Sequence, residues 1–248
     1  IREMLQAAER DPRIKHIILG GDNYDGPNGW EVYRMIRPHV ESGKIIPLLG
    51  NHELGFFVAG MLGRNRNLRI YLRHGGQKTV EALNAELAAQ GRAPVNPEDL
   101  DSVRNNPELK EMLQWILKTH RVSFVDDYGI VYVHAFPEIR ENGEIRWDYD
   151  GANGLGALQR MEEALRIVGE FKQPLEHPVF RVLLNQRTSP LYTNQILPSV
   201  QTFDRAFRRD GARAVIHGHI HRQNAENVRG LNRQFNVAVD DDFRSKGG

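Results

Sequence analysis

Two stretches decide the fold: Ile14-Lys-His-Ile-Ile-Leu-Gly-Gly-Asp-Asn-Tyr-Asp25 and Lys44-Ile-Ile-Pro-Leu-Leu-Gly-Asn-His-Glu53. Each begins with a short apolar run, which is typical of a buried strand, and ends in glycine followed by polar residues. Between them, apolar residues recur at helical spacing from Trp30 to Val40. A strand, helix and strand in this order predict two parallel strands joined by a crossover. Both polar loops then lie at the same sheet edge, where sites collect in α/β proteins.

The regions around this unit alternate between predicted helices and strands. We expect a helix over Ile1 to Arg10 and a mostly helical region from Glu53 to His120, and we expect the remaining helix over Leu155 to Val168. Two Asn-Pro-Glu triplets in the middle region predict helix starts, because proline suits the first helical position. These triplets are Asn96-Pro97-Glu98 and Asn106-Pro107-Glu108.

Four further apolar runs predict strands in the second half of the chain. They are Val122 to Val125, Ile130 to Val133, Ala214 to Ile216 and Phe235 to Val239. Tyr128-Gly129 is a candidate turn between the first two, which predicts an antiparallel pair. Parallel and antiparallel pairs together predict a mixed α/β fold, and no change of composition divides residues 1–248 into two domains.

The composition excludes several classes of function. The 33 Lys and Arg residues and 32 Asp and Glu residues give a net charge of +1, which argues against stable binding of nucleic acid. The absence of cysteine excludes disulfides, thiolate metal sites and a cysteine nucleophile. The apolar stretch Leu54 to Leu62 is well short of the roughly 18–20 residues of a membrane span. We expect a cytoplasmic location, although a periplasmic protein can also lack cysteine.

Four segments place an acidic, amide or imidazole side chain just after an apolar run. The side chains are Asp22, Asn51, His134 and the alternating histidines His217, His219 and His221. Oxygen and imidazole donors gathered at one sheet edge suit divalent Mn, Fe or Zn. Each residue also has an ordinary structural interpretation: Asn51 as a helix cap, His134 as a hydrogen-bonded histidine at a strand end. The three alternating histidines would share one face if they continued a strand.

The motifs resemble those of the calcineurin-like metallophosphoesterases, in particular the phosphoprotein-phosphatase branch of bacterial type. Gly50-Asn51-His52-Glu53 is the most specific motif, and Gly21-Asp22-x-x-Asp25 and Gly218-His219 support it. Weaker similarities are His74-Gly75-Gly76 with Thr79 and Ser189-Pro190-Leu191-Tyr192. The resemblance implies a β-sandwich of mixed sheets flanked by helices.

The resemblance also implies a two-metal site and a role for each matching residue. Mn is the expected metal, with Fe, Zn or Ni as alternatives. Asp22 would bridge the two ions, Asn51, His134 and His219 would complete the second, and His221 matches a ligand of the first. A metal-bound hydroxide would attack phosphorus, with His52 as the general acid and Asp25 orienting its ring.

The sequence departs from the family pattern at two places. An Asp-x-His motif at the end of an opening strand is absent, so we expect that the given chain begins after this strand, with natural loss as the alternative. The arginine that usually follows the second aspartate of the family motif is also absent after Asp25. Arg187 and Arg222 are the candidate replacements for its phosphate contact, each with solvated surface arginine as the alternative.

The leading functional hypothesis is a serine/threonine protein phosphatase-like enzyme that acts on phosphoproteins or small phosphoesters. The alternatives are hydrolysis of dinucleoside polyphosphates and a catalytically impaired binding module on the same fold. Arg64, Arg66, Arg69 and Arg73 form a basic patch that follows the Asn51-His52-Glu53 loop. This patch is either an ordinary solvated surface or a rim that steers anions.

Overall fold

The computed structural model describes residues 1–135, 148–168, 174–185, 189–192, 214–219 and 234–236. Its first part is the predicted strand–helix–strand unit, preceded by a helix. The elements are α1 (Arg2–Arg10), β1 (Ile17–Leu19), α2 (Gly29–Glu41) and β2 (Ile45–Pro47). The two strands pair in parallel, with Ile17 opposite Ile45. The parallel crossover is confirmed, although each strand is three residues long and shorter than its apolar run.

The middle of the chain is helical, as predicted. The His52 helix (His52–Val58) has π-helical geometry and continues into α3 (Ala59–Met61), and the elements after it are α4 (Asn65–Tyr71), a π-helical turn (Leu72–Gly76), α5 (Gln77–Ala89), α6 (Leu100–Asn105) and α7 (Pro107–Thr119). None of the described helices combines the length and the apolar character needed to cross a membrane.

Of the two predicted helix starts in this region, one is confirmed and one is wrong. The side chain of Asn106 accepts a hydrogen bond from the backbone N–H of Leu109 and caps α7. The side chain of Asn96 instead accepts from the N–H of Glu98, two residues on, and closes a local turn. Helix α6 therefore begins at Leu100, with Asp99 as its cap.

A four-stranded mixed sheet forms the second part of the fold. Its strands are β3 (Ser123–Val125), β4 (Ile130–Val133), β7 (Ala214–His217) and β8 (Gln234–Asn236), in that order. The first pair is antiparallel and the other two pairs are parallel, which confirms the mixed sheet. A two-stranded hairpin of β5 (Asp148–Tyr149) and β6 (Ala152–Asn153) leads into α8 (Gly154–Val168) and α9 (Pro178–Leu183).

The two sheets approach each other at the carboxyl ends of β1, β2, β4 and β7. A parallel bridge between Leu48 and Arg121 follows β2, and the backbone N–H of Leu49 donates to the carbonyl of Arg121. Buried side chains from both sheets and from the helices join one apolar cluster, which includes Leu19, Ile45 and Val131. The loops that follow β1, β2, β4 and β7 are held together above this cluster.

Candidate metal centre

Four side chains converge on one point where these loops meet. The Nε2 atom of His134 lies 3.0 Å from Oδ1 of Asn51, 3.1 Å from Nδ1 of His219 and 3.5 Å from Oδ2 of Asp22. The donor atoms of Asp22, His134 and His219 all lie within 4.8 Å of one another. Asp22 and Asn51 follow the parallel pair β1–β2, whereas the two histidines follow β4 and β7.

The hydrogen bonding of His134 shows that these residues fit a cation. Its Nδ1 lies 2.7 Å from the carbonyl oxygen of Gly20, which can only accept, so Nδ1 carries a proton. Its Nε2 then faces the oxygens of Asn51 and Asp22, so three potential metal donors point to one place. Metal-binding histidines are held in this way by a carbonyl partner. Ligands about 2.1 Å from one ion lie roughly 3.0–3.4 Å apart, which agrees with the distances here.

Glycines allow the loops to come this close. Gly21 has a φ of +96°, and a Cβ there would lie 2.6 Å from Nδ1 of His134. A Cβ on Gly50 would overlap Oδ1 of Asp22 and would lie 2.7 Å from Oε2 of Glu53. Asp22 itself adopts a left-handed φ of 58°. The site thus depends on the absence of a Cβ at Gly21 and Gly50, which lets the loops approach this closely.

Glu53 ties the Asp22 and Asn51 loops together. Its Oε2 accepts from the backbone N–H groups of Asp22 at 2.7 Å and Gly50 at 2.9 Å, and its Oε1 accepts from that of Asn23 at 2.5 Å. Burial and the charge of Asp22 raise the pKa of Glu53 to about 8, although the hydrogen bonds from the N–H groups of Asn23 and Asp22 act to lower it. Both oxygens of Glu53 accept bonds from backbone N–H groups, one set on each loop. Glu53 therefore has a positional role in both loops.

His52 and Asp25 form an ion pair beside the convergent donors. Nδ1 of His52 bonds Oδ2 of Asp25, and the backbone N–H of His52 donates to Oδ1 of Asp22. Burial disfavours the charged ring, but the bond to Asp25 and the charge of Asp22 outweigh it and raise the pKa of His52 to about 9. The Nε2 atom of His52 is thereby left as the free end of a ring that carries a proton at neutral pH.

A buried hydrogen-bond network behind this pair was not predicted. The carbonyl of Tyr24 accepts from the hydroxyls of Thr79 at 2.8 Å and Tyr71 at 3.1 Å, and its phenol contacts Nε2 of His120 at 2.8 Å. These partners lie 47 to 96 residues from Tyr24, so no local pattern signals them. Of the group, only Thr79 was singled out, as part of a weak motif. The network fixes the backbone immediately before Asp25.

The described residues resolve two of the structural alternatives. Asn51 precedes the His52 helix, but its side chain makes no capping bond and points to His134 instead. The expectation that the alternating histidines share one face of a strand fails beyond β7. The strand ends at His217, and His219 adopts a left-handed φ of 69°. His221, Arg187 and Arg222 lie outside the described residues.

Tyr192 brings the segment Ser189 to Tyr192 against the His52 helix. A Cβ on Gly55 would overlap the phenol oxygen of Tyr192. The same segment is joined to the loop after β4, since the N–H of Ala135 donates to the carbonyl of Pro190 at 2.8 Å. Burial and the charge of Asp22 raise the pKa of Tyr192 to about 12, while Arg64 opposes the shift.

This fold and donor set agree with one family. Residues 1–223 match the calcineurin-like phosphoesterases, so the chain belongs to this family, which is metal-dependent. The predicted family is confirmed. No curated protein sequence matches the chain at a significant level.

Among the solved structures with a similar fold are three of a cold-active protein tyrosine phosphatase, one of them from a psychrophilic Shewanella species. Their TM-scores are 0.54 to 0.55, at 12 to 14% sequence identity. The similarity covers 90 to 91% of this chain but 59 to 60% of those chains. At this identity the likeness supports the fold alone.

Proposed function

We propose that the protein is a metal-dependent phosphoesterase that hydrolyses phosphomonoesters, with phosphoproteins as its substrates. One observation carries the proposal: His52, paired with Asp25, stands beside a cluster of three side chains that could hold a metal ion. A histidine with a purely structural role does not need a carboxylate partner next to a group of possible metal ligands. A phosphoesterase needs both, because it must neutralise the phosphate and protonate the leaving oxygen.

In this proposal Asp22, Asn51, His134 and His219 hold a divalent cation, with manganese as the first choice and two ions in the complete site. A bound divalent cation would polarise the phosphoryl oxygens and lower the pKa of a coordinated water. Gly20 fixes the ring of His134 through its carbonyl, so that Nε2 stays unprotonated towards the ion. Glu53 holds the two loops that carry Asp22 and Asn51 in register.

His52 is the proposed general acid. Asp25 fixes the ring through Nδ1 and stabilises the imidazolium, so Nε2 carries a proton at neutral pH. Transfer of this proton to the leaving oxygen avoids the release of an alkoxide, which is the costly part of cleaving an alkyl phosphate.

The phosphate-binding arginine of the family has no counterpart after Asp25, and Arg187 and Arg222 are proposed for this contact. The structural neighbours are named protein tyrosine phosphatases, which adds phosphotyrosine to phosphoserine and phosphothreonine as residues to assay. Diadenosine tetraphosphate belongs in the same panel as the alternative substrate class.

The proposal is tested by hydrolysis of an aryl phosphate with added Mn²⁺ and with a chelator. We expect turnover that needs the metal and that Asn51→Ala reduces by at least about 100-fold, because a ligand of the cation is lost. His39→Ala, on α2, is the control and should retain turnover. Metal-independent turnover, or full activity of Asn51→Ala, would contradict the proposal.

A further inference from the structure

The segment after the His52 helix is basic and lacks acidic residues. Leu54 to Val80 contains Arg64, Arg66, Arg69 and Arg73 but no Asp or Glu. All four arginines are exposed, and none forms an ion pair with a described residue. In contrast, Arg34 and Arg37 on α2 pair with Glu86 and Glu111. The positive charge on α4 is therefore left uncompensated within the described part of the chain.

Helix α4 is fixed against the His52 helix through one face. The Nδ2 of Asn67 donates to the carbonyl of Gly55 at 2.7 Å, and the ring of Tyr71 lies 5.1 Å from that of Phe57. One turn further on, the His74 ring lies 6.0 Å from the His52 ring. The positions of the arginines relative to His52 are therefore set by packing rather than by a free loop.

Helical spacing places three of the four arginines on one face. Arg66, Arg69 and Arg73 stand at positions i, i+3 and i+7, so the three share one exposed face of α4 and of the turn that follows it. Arg64, at the start of α4, acts electrostatically on Tyr192, which also feels the charge of Asp22.

We propose that Arg64, Arg66, Arg69 and Arg73 form a docking edge for acidic residues that flank the phosphorylated residue of a protein substrate. The proposal rests on the proposed phosphatase function and specifies its substrate class. Arg64, the residue before α4, and Arg73 are nine positions apart, which is about 13 Å at the rise of an α-helix. Four residues of an extended peptide span about the same length. Acidic side chains two to four positions from the phosphoresidue thus match the spacing of the docking edge.

The test compares two phosphopeptides that differ only in flanking Glu or Gln residues. For the unaltered protein at low salt, we expect kcat/KM to favour the acidic peptide about 10-fold and the preference to shrink as salt screens it. The triple variant R66Q/R69Q/R73Q, which removes the shared face, should bring the ratio close to one. The matched control R10Q/K110Q/K118Q removes the same number of positive charges from exposed positions on α1 and α7 and should keep the preference.

The outcomes separate this inference from the proposed function. Equal kcat/KM for the two peptides, or a preference that the triple variant retains, would overturn the docking edge. An arginine dependence seen with diadenosine tetraphosphate but not with the acidic peptide would overturn it as well. Absence of aryl phosphate turnover would contradict the phosphatase function. In that case the affinities of the two peptides, measured by fluorescence anisotropy with the same variants, still decide whether the docking edge exists.

Discussion

Gly50 occupies the tightest point of the site, between the carboxylates of Asp22 and Glu53. We expect Gly50→Ala to destabilise the fold by about 1–3 kcal/mol, because a methyl group there must push a buried carboxylate away. It should also weaken metal binding, since Asp22 is displaced from the other donors. Thermal unfolding with and without Mn²⁺ measures both effects.

Gly20→Ala is the matched control for this change. A Cβ on Gly20 meets nothing within 4 Å, although the residue lies in the same loop as Asp22. The melting temperature of the Gly20→Ala variant and the effect of Mn²⁺ on it should stay close to those of the unaltered protein. If the two alanine variants behave alike, the close approach at Gly50 is not what the loop requires.

His52 makes a second prediction at this scale, because a general acid matters most for a poor leaving group. We expect His52→Asn to lower turnover of an alkyl phosphate by about 10²–10⁴-fold. For dinitrophenyl phosphate, whose leaving group needs no proton, the loss should be much smaller. The measurement is kcat/KM over a series of leaving groups, and an equal loss across the series would argue against proton transfer from His52.

At the scale of elements, the end of α7 supports the loop that follows β1. His120 is the residue after α7, and its ring packs 5.0 Å from Trp115 and 5.5 Å from Tyr24. Burial lowers the pKa of His120 to about 3. The folded protein therefore holds this ring neutral, as an uncharged partner for the phenol of Tyr24.

This burial predicts a loss of stability in mild acid. Below about pH 6.5 the unfolded chain binds a proton at His120 that the folded chain does not bind. The free energy of unfolding therefore decreases as the pH is lowered, until the pKa of the folded state is reached. Between pH 6.5 and 5 the change amounts to about 2 kcal/mol. Denaturant unfolding of His120→Gln should show a shallower pH dependence than the unaltered protein, whereas His39→Gln should match it.

The two Asn-Pro-Glu triplets show what local sequence can specify about an element. The side chain of Asn106 reaches the third N–H beyond it, so the predicted cap forms. The same residue type at position 96 bonds two residues ahead, and its backbone N–H is bound by the hydroxyl of Ser102. Helix propensity is shared by both triplets, but the later contact with α6 decides the outcome at Asn96.

At the scale of the whole molecule, the donor cluster joins two separate sheets. Asp22 and Asn51 follow strands of the two-stranded sheet, and His134 and His219 follow strands of the four-stranded sheet. A cation held by all four would cross-link the sheets in the folded state only. The ligand would thus stabilise the molecule by mass action.

Manganese is therefore expected to raise the melting temperature as its concentration increases. At 100 times the dissociation constant, the gain in free energy of unfolding is about 2.7 kcal/mol. The shift should disappear with a chelator and be strongly reduced in His134→Ala, whose donor lies at the centre of the cluster. A melting temperature that does not change with the Mn²⁺ concentration would show that this site does not bind the metal tightly.

Local sequence determined the parallel β1–β2 unit, the helical middle region and the positions of Asp22, Asn51 and His134 after their strands, because apolar periodicity and glycine act over a few residues. Only the tertiary structure decided that Asn51 points to His134 rather than caps a helix. It also decided that His219 leaves its strand, and that Tyr24 rests on His120. These outcomes depend on contacts between residues that are 83 to 96 positions apart, and packing across two sheets selects such contacts.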